Sequence, residues 1–441
     1  TKPCKRRARP QCVGGSVFLS GGGAFSSPPL RPENIVHQTI NPSTTSASSA
    51  SSKISPMKLT LLRLVMTALI VGTLAACSTP PTPSPAQPGA IAPTPTTAGA
   101  AMTGDTGPLP SSMSQPKSRW IAVRWAELPG FADDALHEAW NAWIKGCERP
   151  APAFAPLCSE VRQLSIASGD EQRAWMVRRL QPYRVEAADG NAEGLLTSYY
   201  EPMMDAARQP GNGYTVPVYG LPAGHGSRKP WYTRQQIDTL PEAQAALQGR
   251  AIAWLRDPVE SLVLHIQGSG RLQITEADGR VTTARVAYAG TNDQPYQSVG
   301  RWLLDQGATR DATWPGIRAW LAQNPQRTNE LLWSNPRYVF FREEPLSPLD
   351  AQFGPRGAQG VPLTPGRSIA VDRQSIPYGT PVWLASTGPQ VSMQRLVMAQ
   401  DTGSAIVGAV RADYFAGWGA EAGELAGRLK QGLRLWALWP R

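Results

Sequence analysis

Residues 397–415 read "VMAQDTGSAIVGAVRADYF", an apolar run that ends in Asp401-Thr402-Gly403-Ser404 and is followed twelve residues later by Asp413. An aspartic protease uses an Asp-Thr-Gly near the beginning of each of two lobes of roughly a hundred residues, so that two such carboxylates share a proton. This chain has one Asp-Thr-Gly, with only 38 residues after Gly403. Counting therefore excludes the two-lobed fold. What remains is a pair of carboxylates on closely spaced β elements, joined through Gly403, Ser404 and Gly408. Burial or a neighbouring carboxylate raises the pKa of such a group, and glycosidic bond cleavage needs an acid held protonated near neutral pH. The plainer alternative is that Asp401 starts a turn through its side-chain oxygen and Asp413 ends a strand.

Upstream of this stretch the pattern is of short β-like runs, "SLVLHIQ", "RVAYA", "RYVFF", "PVWLA" and "RLVMAQ", with "RLWALW" after it and Gly/Pro punctuation between them. Helical spacing appears earlier. In "DDALHEAWNAWIKGC" Leu136, Trp140, Trp143 and Ile144 recur on one face, and "EQRAWMVRRLQPY" offers Trp175 or Met176 with Leu180. A further helix is predicted after Asn292, with Pro295 in its first turn and Tyr296, Val299 and Leu303 on one face. The fold class is mainly β with a helical shell. At 441 residues, 41% apolar and with 15 Trp, the chain can bury a substantial core and form two or three domains.

The net charge of +10 invites a polyanion partner, but nine Lys or Arg against one acid up to Cys77 account for +8 of it, leaving +2 for the rest. No nucleic-acid groove is expected. Residues 57–77, "MKLTLLRLVMTALIVGTLAAC", combine a short basic region, an apolar stretch and small residues, the pattern of a secretory signal. Leu74-Ala75-Ala76-Cys77 resembles the bacterial lipobox, which places a lipid on Cys77. Residues 1–56 are then expected to come from a mis-assigned start, 57–76 to be the lipoprotein signal peptide, and 77–117 to be a Pro/Thr/Ala tether. Ser78 in place of Asp favours the outer membrane, with the folded part in the periplasm. In that oxidising compartment Cys147 and Cys158 read as a structural disulfide. His137, His225 and His265 stand apart from one another and from the cysteines, so neither a metal site nor a Ser-His-Asp triad is expected.

Six ordered blocks carry a family resemblance: "LLTSYYEPMMDAAR" (195–208), "LHIQGSGRLQI" (264–274), "VAYAGTNDQPYQSVG" (286–300), "NPRYVFF" (335–341), "LTPGRSIAVDRQSIPYGTPVWL" (363–384) and the opening stretch. From about Trp120 to the end the chain resembles the membrane-bound lytic murein transglycosylase A family, with its C-terminal three-aspartate region. The resemblance implies a double-psi β-barrel built from 118–200 and 337–441, a second β domain inserted at 201–336, and a glycan groove between them. It implies a lytic transglycosylase of peptidoglycan, a lyase that cuts between N-acetylmuramic acid and N-acetylglucosamine and leaves 1,6-anhydro ends, with no cofactor. An ordinary hydrolase on the same barrel and a non-catalytic glycan-binding lipoprotein are the alternatives. Expected partners are peptidoglycan strands, the outer membrane, and cell-wall synthesis or amidase complexes.

By the same resemblance the catalytic role falls on Asp413, at the place of the aspartate in a His-Phe-Asp motif; this chain has Arg411-Ala412-Asp413 there. Asp401 and Asp372 are expected to shape the field around it, or, for Asp372, to serve a turn. Substrate contacts are expected from Gln267, Gly268, Ser269 and Gly270 of "HIQGSG", from Tyr288, Asn292 and Tyr296, and from Tyr200 and Glu201 at the domain junction. Three plainer readings stand beside these: a strand ending in a Gly turn at 267–270, a helix-core role for Tyr296, and a salt bridge at Glu201. Glu260 reads as structural. Ala289 stands where the family often has Asn.

Overall fold

Strand Arg411–Trp418, which carries Asp413, has parallel neighbours in Gly194–Glu201 and antiparallel ones in Ser368–Val371. The computed structural model, which describes residues 105–441, places these strands in a sheet that returns on itself. Going round, Lys430–Pro440 pairs with Pro381–Thr387, then Ser392–Asp401, Ser368–Val371, Arg411–Trp418 and Gly194–Glu201, and the last pairs again with Lys430–Pro440 through Lys430 opposite Thr197. Six strands thus close into a β-barrel. Two of its pairings are parallel, and the one between Arg411–Trp418 and Gly194–Glu201 joins segments more than two hundred residues apart, which is how two parts of the chain come to build one barrel. The other half of Lys430–Pro440 carries Leu180–Glu186, Ser118–Ala122 and Met113–Gln115 outward as an extension. The tether expected to run to residue 117 therefore ends sooner, since Met113–Gln115 already makes ladder hydrogen bonds.

Alternation fills the barrel. Leu196, Ile369, Val371, Leu384, Val397, Ala412, Leu433 and Leu435 are buried inside it. Outside, helix Leu136–Gly146 lays Trp140 and Trp143 against Trp175, Trp383 and Trp436. Cys147 and Cys158 are bonded, with 5.6 Å between their Cα atoms, immediately beyond that helix.

A second, six-stranded sheet follows the order Val339–Pro345, Val281–Thr291, Ser269–Thr275, Met203–Ala207, Ala251–Leu255, Val216–Tyr219. Val339–Pro345, which the sequence reading put in the barrel from 337 on, belongs to this sheet, pairing with Val281–Thr291. Its apolar side packs on helix Pro258–Gln267 through Val263 and Leu264. That helix corrects the β reading of "SLVLHIQ". Asp257 caps it by accepting from the Val259 amide at 2.8 Å, Pro258 occupies the first turn, and Gly268, at φ 80°, closes it in the left-handed conformation. Residues 259 and 261–265 are all buried, so no polar face reveals the 3.6 period. The helix expected after Asn292 begins later, at Val299 with Ser298 as its cap, and leaves Tyr296 outside it. Among the described residues no helix is long and apolar enough to cross a membrane.

Candidate active site

Ala370 explains how two aspartates twelve residues apart meet. It pairs with Asp401 on one side and with Asp413 on the other, so both carboxylates flank one strand position at the barrel's edge. Asp413 lies opposite Thr197, whose hydroxyl donates to Asp413 Oδ1, while Arg411 Nη2 donates to that same hydroxyl oxygen at 2.8 Å. Because the guanidinium uses the Thr197 lone pair, the hydroxyl proton is directed at Oδ1. Among the described residues no group hydrogen-bonds Asp413 Oδ2, which leaves that oxygen to carry a proton.

Asp401 differs. Tyr199 donates to its Oδ2 at 2.8 Å and the Ala358 amide to its Oδ1 at 2.9 Å, so both oxygens accept. Burial pushes both carboxyls above the usual aspartate range; Thr197 and Arg411 draw Asp413 partly back, and Tyr199 and backbone amides do so for Asp401. The charge of Asp413 opposes ionisation of Asp401 as well. Tyr199 is itself held protonated, well above its ordinary value, by burial and by the two aspartates, which keeps it a donor. Two hydrogen bonds from groups that present protons match a carboxylate at Asp401, and a single one with a free second oxygen matches a protonated Asp413.

A groove runs past both. One part, of about 160 Å³, is lined by Asp413, Arg411 and Tyr296; the other, of about 530 Å³, by Asp401, Tyr199, Tyr288, Gln267, Gly268 and Ser269. Gly403 and Ser404 from the barrel and His265, Ile266 and Arg337 from the insert border both parts. Tyr288 is half exposed in its wall. Tyr296, which the sequence reading also allowed as helix core, lines the smaller part of the groove.

Other expected contacts fall elsewhere. Glu201 is fully buried between Arg271 (2.7 Å) and Arg285 (2.5 Å), and has no surface for a ligand. Asn292 is also fully buried; it donates to the Tyr232 and Pro336 carbonyls and accepts from the Tyr338 amide, each at 2.8 Å. Gly270 sits where a Cβ would lie 2.6 Å from Leu264, so its smallness serves packing. Tyr200 packs on Gly423, and its amide donates to Gln267 Oε1 at 3.0 Å. Asp372 takes the Gly408 amide (3.1 Å), Lys117 (3.0 Å) and the Gln374 amide (3.0 Å), and borders neither part of the groove. Burial pushes its pKa up, but the Gly408 amide, Lys117 and the Gln374 amide outweigh that and leave it lowered. It closes the loop that carries Gly403 and Ser404. Glu260 borders a separate cavity with Asp205 and Arg256.

Thr197, Tyr199, Arg337 and His265 are site residues that spacing could not single out. Thr197 and Tyr199 alternate on one strand more than two hundred residues from the aspartates they bond. His265 is buried and neutral, its pKa well below the ordinary value through burial and the adjacent Arg234, which bonds its Nδ1 at 2.6 Å.

The sequence matches the MltA specific insert domain over residues 195–342 and the 3D domain over residues 367–439. It is 30% identical over 312 residues to the membrane-bound lytic murein transglycosylase A of Vibrio cholerae, covering 67% of this chain and 78% of that protein. The structure is similar to the lytic transglycosylase LtgG of Burkholderia pseudomallei (41% identity, TM-score 0.52, 76% of this chain and 97% of that one). It is also similar to MltA of Neisseria gonorrhoeae (32% identity, TM-score 0.62, 76% and 96%). A closed barrel with paired aspartates, an inserted sheet across a groove and relatives matched over most of their length lead to one statement: the chain belongs to the membrane-bound lytic murein transglycosylase A family.

Proposed function

We propose that this protein is a peptidoglycan lytic transglycosylase in which Asp413 acts first as acid and then as base. The enzyme class rests on the family; the assignment to Asp413 rests on one observation, the free Oδ2 beside an Oδ1 fixed by Thr197 and Arg411. Protonated Asp413 donates to the oxygen linking N-acetylmuramic acid to N-acetylglucosamine. Ionised, it takes the proton of the muramyl C6 hydroxyl as that oxygen attacks C1, which closes the 1,6-anhydro ring. One carboxylate suffices because the nucleophile belongs to the substrate, and no electron transfer is involved. Asp401, ionised and held by Tyr199 and Ala358, offsets the positive charge that develops at C1. Gln267, Gly268, Ser269, Tyr288 and Tyr296 supply the glycan surface, with Asp372 holding the loop between them and the aspartates.

The relatives are named membrane-bound, and Cys77 with its lipobox, outside the described residues, supports attachment through a lipid. Ser78 favours the outer membrane, and the Pro/Thr/Ala tract then spaces the enzyme from it. Sacculi incubated with protein beginning after Cys77 test the chemistry. Soluble muropeptides lighter by one water and resistant to borohydride are expected. Reducible ends would make the protein a hydrolase and overturn the single-carboxylate route, and binding without release would leave a glycan-binding module.

A further inference from the structure

The larger part of the groove holds more positive charge than a neutral sugar chain can use. Arg149 and Arg356 both come to one glycine on its barrel wall. Arg149 Nη1 lies 2.7 Å from where a Cβ on Gly360 would be, and Arg356 Nη1 donates to the Gly360 carbonyl at 3.2 Å. Gly360, at φ 85°, leaves both the backbone turn and the space that this approach requires. The loop bearing Arg149 is fixed twice, by the Cys147–Cys158 disulfide and by Gln359, whose amide donates to the Arg149 carbonyl at 3.0 Å. Arg337 faces the groove from the insert side. Arg342, also in the lining, is paired with Glu344 at 2.7 Å, whereas Arg149, Arg337 and Arg356 form no ion pair among the described residues. The one carboxylate in this part, Asp401, already has both oxygens engaged.

Resting on the reading of the substrate as peptidoglycan, we infer that Arg149, Arg356 and Arg337 form a subsite for carboxylates carried on the lactyl branch of the muramyl sugar. Such a carboxylate is either the free lactyl group or belongs to the peptide attached to it. Unpaired guanidiniums present forked donors that match carboxylate geometry, and the N-acetylated sugar backbone offers them no anion. The subsite gives the groove a way to prefer muramyl-containing strands over other β-1,4-linked N-acetyl sugars.

The test is binding to an Asp413→Asn protein, whose slowed turnover leaves the ligands intact over a binding measurement. Three soluble ligands are compared: peptide-bearing glycan oligomers, the same oligomers stripped of peptide by an amidase, and a neutral chito-oligosaccharide. Adding Arg149→Gln and Arg356→Gln is expected to lower the preference for anionic over neutral ligand by roughly tenfold or more. Rising salt should erode that preference in the unmodified arginine background. Loss confined to the peptide-bearing oligomer assigns the peptide carboxylates, and loss with the stripped oligomer assigns the lactyl group. Arg149→Lys with Arg356→Lys should restore part of the preference, and Arg337→Gln should reduce it from the opposite wall. An unchanged preference, or equal loss for charged and neutral ligands, overturns the subsite, the second outcome marking loop damage. If the protein with Asp413 intact binds these strands yet forms no anhydro ends, the reaction assignment fails, while the arginine subsite still stands or falls on binding.

Discussion

Asp413 is a functional group that the fold stabilises poorly. Its pKa is raised, first by burial. Between the unfolded and the native pKa the native state keeps a proton that the unfolded chain has released, so stability falls as pH rises through that interval. Asp413→Asn removes the penalty. Thermal unfolding should show the variant more stable than its parent at neutral pH, with the difference vanishing below the ordinary aspartate range. Its turnover of sacculi should fall roughly 10²- to 10⁴-fold, the usual contribution of a general acid–base group. Thr197 gives a complementary test because its bond lowers the Asp413 pKa. Thr197→Val should move the alkaline limb of the kcat/KM profile upward, and a limb that stays in place would detach Asp413 from that limb.

Between elements, the most consequential contact is one the sequence reading offered two ways. Glu201 ends barrel strand Gly194–Glu201, and its two partners, Arg271 and Arg285, come from neighbouring strands of the inserted sheet. These arginines go on to the carbonyls of Ala351 and Phe353, and Arg271 lies 3.9 Å over the Trp418 ring. One carboxylate thus fastens the barrel strand, the insert and the returning chain. Glu201→Ala leaves two buried guanidiniums without their counter-charge, and a loss of about 3–5 kcal/mol is expected in denaturant unfolding. Glu201→Gln should cost less, because it keeps an acceptor. If both variants are as stable as the parent, the junction is not held this way.

At the scale of the molecule, the groove depends on parts that meet only when the barrel closes. The disulfide loop is an example, since it supports the Arg149 wall through Gln359 and also shortens the unfolded chain. Replacing Cys147 and Cys158 by Ser should lower stability by about 3 kcal/mol, the chain-entropy value for so short a loop, measured in denaturant unfolding, with a higher m-value because the freed unfolded chain exposes more surface.

The sequence alone determined the barrel's alternating strands around Asp401 and Asp413, the tryptophan-rich helix and the cysteine pair, because each is written in local periodicity or in a count. Through the family resemblance of its blocks from 195 to the end it also implied the insertion of one β domain into another. It misread "SLVLHIQ", whose burial on all sides erases the helical period, it expected a substrate contact at Asn292, which is fully buried, and it left Glu201 and Tyr296 with two meanings each. Which of these face the groove depends on strand register and on which sheet covers them, and neither is a property of near neighbours in the chain. Tertiary structure alone brought Thr197 and Tyr199 to aspartates more than two hundred residues away. Ala370 sits between the two aspartates because a parallel and an antiparallel pairing share one strand, and among the described residues that arrangement leaves Asp413 Oδ2 without a hydrogen-bond partner.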